Sequence, residues 1–159
     1  MSGLKFISAV IFVRDIQTSK DFYTNVFKQE IQYDFGKNVM FKSGLSIWEV
    51  RKDHEIYQRF VNGKNNDNKF ELYFESDELD KIISLIEKDG IKKLHGLKEE
   101  PWGQRTIRIF DPDDHLVEVG ESMKGFVQRL SEKLNEEEVS KKTGLSITEI
   151  RVVLSDASH

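Results

Sequence analysis

One order of elements occurs twice in this chain, and it limits the folds open to it. Residues Phe6 to Val13 (FISAVIFV) are rich in β-branched and aromatic side chains, the composition of a strand. After Asp15 the run IQTSKDFYTNVF changes to a helical period, with Ile16, Phe22, Val26 and Phe27 on its buried stripe. Three short β-type runs follow, IQYDF, NVMFKS and LSIWEV, the last two entered after Gly36 and Gly44, where tight turns take positive φ. A polar stretch from Arg51 to Lys69 has the composition of a loop. The order then recurs, with FELYFES as a strand and ELDKIISLIEKDG as an amphipathic helix lined by Leu79, Ile82, Ile83 and Ile86. KKLHGLKE, RTIRIFDP and HLVEVGES complete the second set of three strands. A βαβββ unit cannot bury its sheet face alone. The expected fold is therefore α+β, two βαβββ units whose curled mixed sheets form a concave pocket, with a short C-terminal helical appendage.

The expected boundaries are a 1–122 sheet domain, made of units 4–50 and 69–122 around a linker 51–68, and a 123–159 helical tail. Three short helices are predicted in that tail: KGFVQRLSEKL, then NEEEVSKKTG with Asn135 as N-cap, then SITEIRVVL opening on a capping box from Ser146 to Glu149. Phe126, Leu130, Leu134, Val139, Leu145, Ile150 and Val153 recur at the spacing of a helix-turn-helix-like bundle or a cover lying on the sheets. Between Lys124 and Leu154 six basic side chains face five acidic ones, too even a balance for a phosphate-neutralising surface. A DNA-binding tail on a ligand-responsive regulator is thus the weakest of the functional readings. A brace for a homodimer or a cover for the pocket is the preferred role.

Composition narrows the partners. The chain has no cysteine, so thiolate catalysis, disulfides and sulfur-ligated metals are excluded. No apolar run approaches the roughly 20 residues that cross a bilayer, and the N-terminal run lacks the pattern of a secretory signal. The expectation is a cytoplasmic protein whose partners are small molecules, with neither membrane nor nucleic acid. Strand alternation supplies candidate residues. In FELYFES, Phe70, Leu72 and Phe74 suit the helix side, which turns Glu71, Tyr73 and Glu75 to the concave side. In HLVEVGE, Val117 and Val119 do the same and leave Glu118 on the concave side. A carboxylate in an apolar strand needs a partner. Trp48, Tyr73 and Trp102, with Phe12 and Phe41, are candidate walls for a planar or hydrophobic ligand, and Gln104, Arg105 and Arg108 are candidate polar contacts.

Two segments together resemble the glyoxalase/bleomycin-resistance/dioxygenase (vicinal oxygen chelate) superfamily. VRDIQTSKDFYTNVF resembles its first strand end and helix, and DPDDHLVEVGE its last hairpin, with Asp114 where the family has glycine. The likeness runs from about Phe6 to Glu121, and PWGQRTIRIFDPD resembles a bacterial subgroup without an assigned activity. The resemblance implies a divalent metal held by first and last strands of each unit, positions that fall on Ser8, Glu49, Glu71 and Glu118. An all-oxygen set of Glu49, Glu71 and Glu118 would favour Mg²⁺, Mn²⁺ or Ca²⁺ over Zn²⁺. Glu118 and Glu71 would then be the catalytic carboxylates of a glyoxalase-like lyase or isomerase acting beside a carbonyl. Against that stands a reading in which these glutamates pair with arginines such as Arg105 and Arg108, no cofactor is present, and the chain sequesters or senses a small ligand. The second reading is favoured, because serine at position 8 is a poor ligand.

Overall fold

The computed structural model describes residues 6–54, 57 and 70–155. The start of the first predicted unit, most of the polar linker and the chain end with His159 lie outside the described residues. The chain divides into two compact units, Met1–Lys69 with Asp111–His115, and Phe70–Phe110 with Leu116–His159.

The first unit holds β1 (Ala9–Val13), α1 (Ile16–Asn25), β2 (Ile31–Asp34), β3 (Asn38–Phe41) and β4 (Leu45–Glu49) in the sheet order β1-β4-β3-β2. The pair β1 and β4 is parallel and the other pairs antiparallel, so the sheet is mixed. Ile11, Val13, Val39, Phe41, Leu45 and Ile47 alternate onto one face and are buried there. Helix α1 starts where Asp15 Oδ1 accepts the Thr18 amide at 2.7 Å, which satisfies a free N–H of the first turn. Its buried side is Ile16, Ser19 and Tyr23, with Val26 buried at the cap; of the predicted stripe Ile16 and Val26 are buried, and Phe22 and Phe27 are half-buried. Tyr23 is admitted to the core because its hydroxyl donates to Asp111 Oδ2 at 2.7 Å, leaving no unpaired polar group inside. Asp111 opens the Asp-Pro-Asp-Asp-His turn, where Asp114 takes φ +64° in the place of a glycine.

The second unit repeats the plan with β5 (Leu72–Ser76), α2 (Leu79–Lys88), β6 (Lys93–Glu99), β7 (Arg105–Phe110) and β8 (Leu116–Glu121) in the order β5-β8-β7-β6. Again the outer pair β5 and β8 is parallel. Ile107, Ile109, Val117 and Val119 form its buried helix-side face, and α2 contributes Leu79 and Ile86. Helices α3 (Met123–Ser131), α4 (Glu136–Thr143) and α5 (Ile147–Ser155) follow. Phe126, Val127, Leu130, Val139 and Ile150 make a core of their own, flanked by Leu134, Leu145, Val153 and Leu154. Asn135 and Glu138 form a reciprocal capping box at α4, and Ser146 and Glu149 form another at α5. Among the described residues no helix is long and apolar enough to cross a membrane.

Candidate functional site

The register of the second sheet puts Tyr73, Glu118, Arg108 and His95 in one row across four strands. All four alternate away from the helix-side core, so they share the opposite face. Glu118 is 4% exposed on this face. Its charge is met by Arg108, whose Nη2 pairs with Glu118 Oε2. The same guanidinium donates from Nε to Glu71 Oε2 at 2.9 Å, and from Nη1 to Glu100 Oε1 at 2.9 Å. Its Nη1 also approaches His95 Nε2 at 3.4 Å. Every nitrogen of the fork therefore has a partner. Glu100 takes further bonds from Thr106 Oγ1 at 3.0 Å and Lys98 Nζ at 3.3 Å.

Protonation follows from this crowding. Burial pushes the Glu118 carboxyl above its ordinary range, and the neighbouring Glu71 and Glu100 charges add to the shift against the pull of Arg108. Glu71 is held below its ordinary range, first by the Arg108 hydrogen bond. For Glu100, burial alone would raise the value, but bonds from Arg108, Thr106 and Lys98 bring it below.

Beside the row lies a second set of polar groups. Gln104 Nε2 donates to Tyr73 Oη and to the Glu121 carbonyl, both at 2.7 Å, while Gln104 Oε1 accepts from Trp102 Nε1 at 3.1 Å. Tyr73 Oη donates onward to Glu75 at 3.0 Å. Burial and Glu75 push the Tyr73 hydroxyl up to about 12, so it keeps its proton at neutral pH. Gly120 makes room for Gln104, since a Cβ there would lie 2.7 Å from Nε2. Tyr73 and Trp102 keep 49% and 39% of their surface exposed, which leaves aromatic area for a ligand.

The glyoxalase-like domain family matches this chain over residues 6–124. A protein of unknown function from Agrobacterium tumefaciens str. C58 shares 34% identity over 77% of this chain and 98% of its own, with a TM-score of 0.64. This chain belongs to the glyoxalase-like domain family. It thereby joins the glyoxalase/bleomycin-resistance/dioxygenase superfamily, whose fold recurs at lower identity in two further structures. A Burkholderia phytofirmans PsJN family enzyme matches at 18% identity and TM-score 0.63, covering 76% of this chain and 100% of its own. A lactoylglutathione lyase from Agrobacterium tumefaciens matches at 23% and 0.54, covering 77% and 96%. No protein of curated function matches the chain.

Members of the superfamily often use a divalent metal, which makes the donor set a direct test of fit. Ser8 Oγ lies 2.7 Å from Ser46 Oγ in the first unit, a hydroxyl pair that supplies no anionic ligand. Glu49 alternates with Leu45 and Ile47 onto the α1 side of its sheet, while Ser46 and Trp48 occupy the other face. Its carboxylate accepts the Ile16 amide at 2.8 Å and Lys37 Nζ at 2.6 Å, so it serves the N-terminus of α1. Glu71 and Glu118 do come together, and both are bonded to the Arg108 guanidinium. Among the described residues no three His, Asp or Glu side chains are arranged to hold a metal ion. The donors as placed do not fit a divalent cation.

Of the proposed ligand contacts, Tyr73, Trp102 and Gln104 form one bonded group and Arg108 the neighbouring one. Arg105 belongs elsewhere, because it alternates with Ile107 onto the helix side and binds Glu121 at 2.8 Å. It lines a cleft of about 380 Å³ with Leu79, Asp80 and Arg129. Trp48 packs edge-on against Phe12 and His54 in the first unit, at 6.0 and 5.2 Å. Phe41 is a core residue beside Tyr23, not a pocket wall. His95, Glu100 and Glu121 were not singled out from the sequence. Glu121 carried a signal, since its alternation with Val117 and Val119 buries it; nothing local marks Glu100.

Proposed function

We propose that this glyoxalase-like protein binds a small molecule on the polar face of its second sheet, sequestering or sensing it, without a catalytic divalent cation. The observation that supports this is the Arg108 fork held by Glu71, Glu100, Glu118 and His95. Positive charge that a metal would bring to Glu71 and Glu118 is supplied by the chain itself, and no donor of the fork is left to polarise a substrate oxygen. Tyr73 and Trp102 offer apolar area, and Gln104 between them is fixed by three hydrogen bonds. That arrangement suits a planar or hydrophobic ligand whose polar groups meet an already ordered surface.

Calorimetric titration with Mn²⁺ and Mg²⁺, on wild type and Glu118→Gln, tests the metal half of the reading. No binding heat is expected. Stoichiometric Mn²⁺ bound by wild type and lost in Glu118→Gln would overturn it in favour of a metal-dependent lyase or isomerase acting beside a carbonyl. A thermal-shift screen of planar aromatic compounds tests the ligand half, with hits expected to weaken in Tyr73→Ala and Trp102→Ala. The expected state is a homodimer, to be measured by light scattering.

A further inference from the structure

The family match ends at residue 124, so nearly all of the three-helix segment lies outside it. The Agrobacterium protein of unknown function is aligned over 98% of its own length while covering 77% of this chain. The helices are therefore an addition, and the contacts they make show what the addition does.

Arg129 of α3 reaches the end of the second sheet with its whole fork. Its Nε donates to Glu121 Oε1 at 2.9 Å and its Nη2 to Glu121 Oε2 at 2.8 Å, a bidentate pair. The same Nη2 donates to the carbonyl of Gly103 at 2.5 Å. Glu121 is 5% exposed and also accepts the Arg105 amide at 2.9 Å, so one buried carboxylate joins α3 to the start of β7. Gly103 itself, at φ +97°, lies tight under the tail. A Cβ there would fall 2.9 Å from Leu130 Cδ1 and from Lys142 Cε. The residues on either side of this pinned glycine are Trp102, which donates to Gln104, and Gln104, which donates to Tyr73.

We propose that the added helices are part of the binding site, with Arg129 as a positioning residue that holds the Pro101–Gln104 turn and thereby sets Trp102 and Gln104 on Tyr73. Neither Arg129 nor its partners Gly103 and Glu121 need touch the ligand for this. The inference rests on the reading that this face binds a ligand, but its test uses no ligand, so the two can fail separately.

The test is amide hydrogen exchange by NMR on wild type, Arg129→Ala, Arg129→Lys and Gly103→Ala, with acrylamide quenching of Trp102 in a Trp48→Phe background. The turn is closed by the Gly103 amide on Glu100 O and the Glu100 amide on Gln104 O, both at 2.8 Å. Loss of charged hydrogen bonds should speed exchange at Gly103, Glu100 and Arg105 by about tenfold or more, while Ile107 in the middle of β7 keeps its rate. Quenching of Trp102 should rise in Arg129→Ala and Gly103→Ala, and Arg129→Lys should recover part of both effects. A uniform speeding of all amides of the unit would mean a merely structural role and overturn the proposal. Unchanged turn exchange and quenching in both Arg129→Ala and Gly103→Ala would overturn it equally. Should Arg129→Ala not fold, Arg129→Lys and Gly103→Ala carry the same comparison.

Discussion

The two units share a strand order and differ in what they place on the face opposite the helix. In the first sheet that face carries Val10, Ser46 and Met40 in one row and Phe12, Trp48 and Asn38 in the next. In the second, the corresponding strands carry Tyr73, Glu118 and Arg108, then Glu75, Gly120 and Thr106. The helix-side faces, by contrast, are interchangeable in kind, Ile11, Val39 and Ile47 against Ile107, Ile109 and Val119. Alternation protects the repeated apolar side because topology depends on it, and leaves the other side free to diverge. Candidate chemistry therefore sits where the repeat is least alike.

The comparison breaks most visibly at Arg108. Arg108→Ala leaves three carboxylates without their guanidinium and should cost about 3–5 kcal/mol by denaturant unfolding at pH 7. Ser46→Ala, in the matching strand position of the first sheet to Glu118, should cost no more than about 1 kcal/mol. The Arg108→Ala loss should also depend on pH. Glu118 has a raised value in the fold, so the folded state binds its proton more tightly than the unfolded chain does. Falling pH should thus restore stability to the variant until the ordinary glutamate value of 4.5 is passed. A loss equal at pH 5 and pH 7 would show that repulsion among the carboxylates is not its cause.

The helix-side cores of the two sheets should respond alike. Ile47→Ala and Ile107→Ala each remove a fully buried side chain from the helix side of one sheet, and each should cost about 2–4 kcal/mol in the same unfolding measurement. Unequal losses would mean that the two helix-side faces are not equivalent after all. Smaller again is the difference between the helix starts. Asp15 caps α1 by accepting a backbone amide of the first turn, whereas the Glu78 side chain at the start of α2 caps no amide. Asp15→Ala should lower stability by about 1 kcal/mol and Glu78→Ala by a few tenths at most. Equal effects in thermal unfolding would contradict the capping assignment.

Much of the fold was legible because its signals are local. Strand alternation, the Asp15 cap, the capping boxes at Asn135 and Ser146, and the apolar spacing of the tail all involve residues a few positions apart. Of the predicted tail spacing, Phe126, Leu130, Val139 and Ile150 are in the buried core and Leu134, Leu145 and Val153 pack half-buried against it. Alternation also put Glu71, Tyr73 and Glu118 on one face. Applied to LSIWEV, the same rule places Glu49 with Leu45 and Ile47, and the family resemblance pointed the other way. Tyr23 was missing from the expected buried stripe of α1 because a tyrosine counts as half polar until its hydroxyl has a partner, and Asp111 lies 88 residues away.

The two βαβββ units, the family, the helical tail and the face on which Glu71 and Glu118 lie could be read without the fold, since each depends on short-range periodicity or turn chemistry. Long-range contacts in the folded chain bring Arg108 to both of those glutamates, set Glu49 on the first amide of α1, and place Arg129 on the Gly103 carbonyl. A charged side chain is long and has many possible partners of opposite sign at any sequence distance. Which one it meets is settled by strand register and helix docking, and those are properties of the assembled chain.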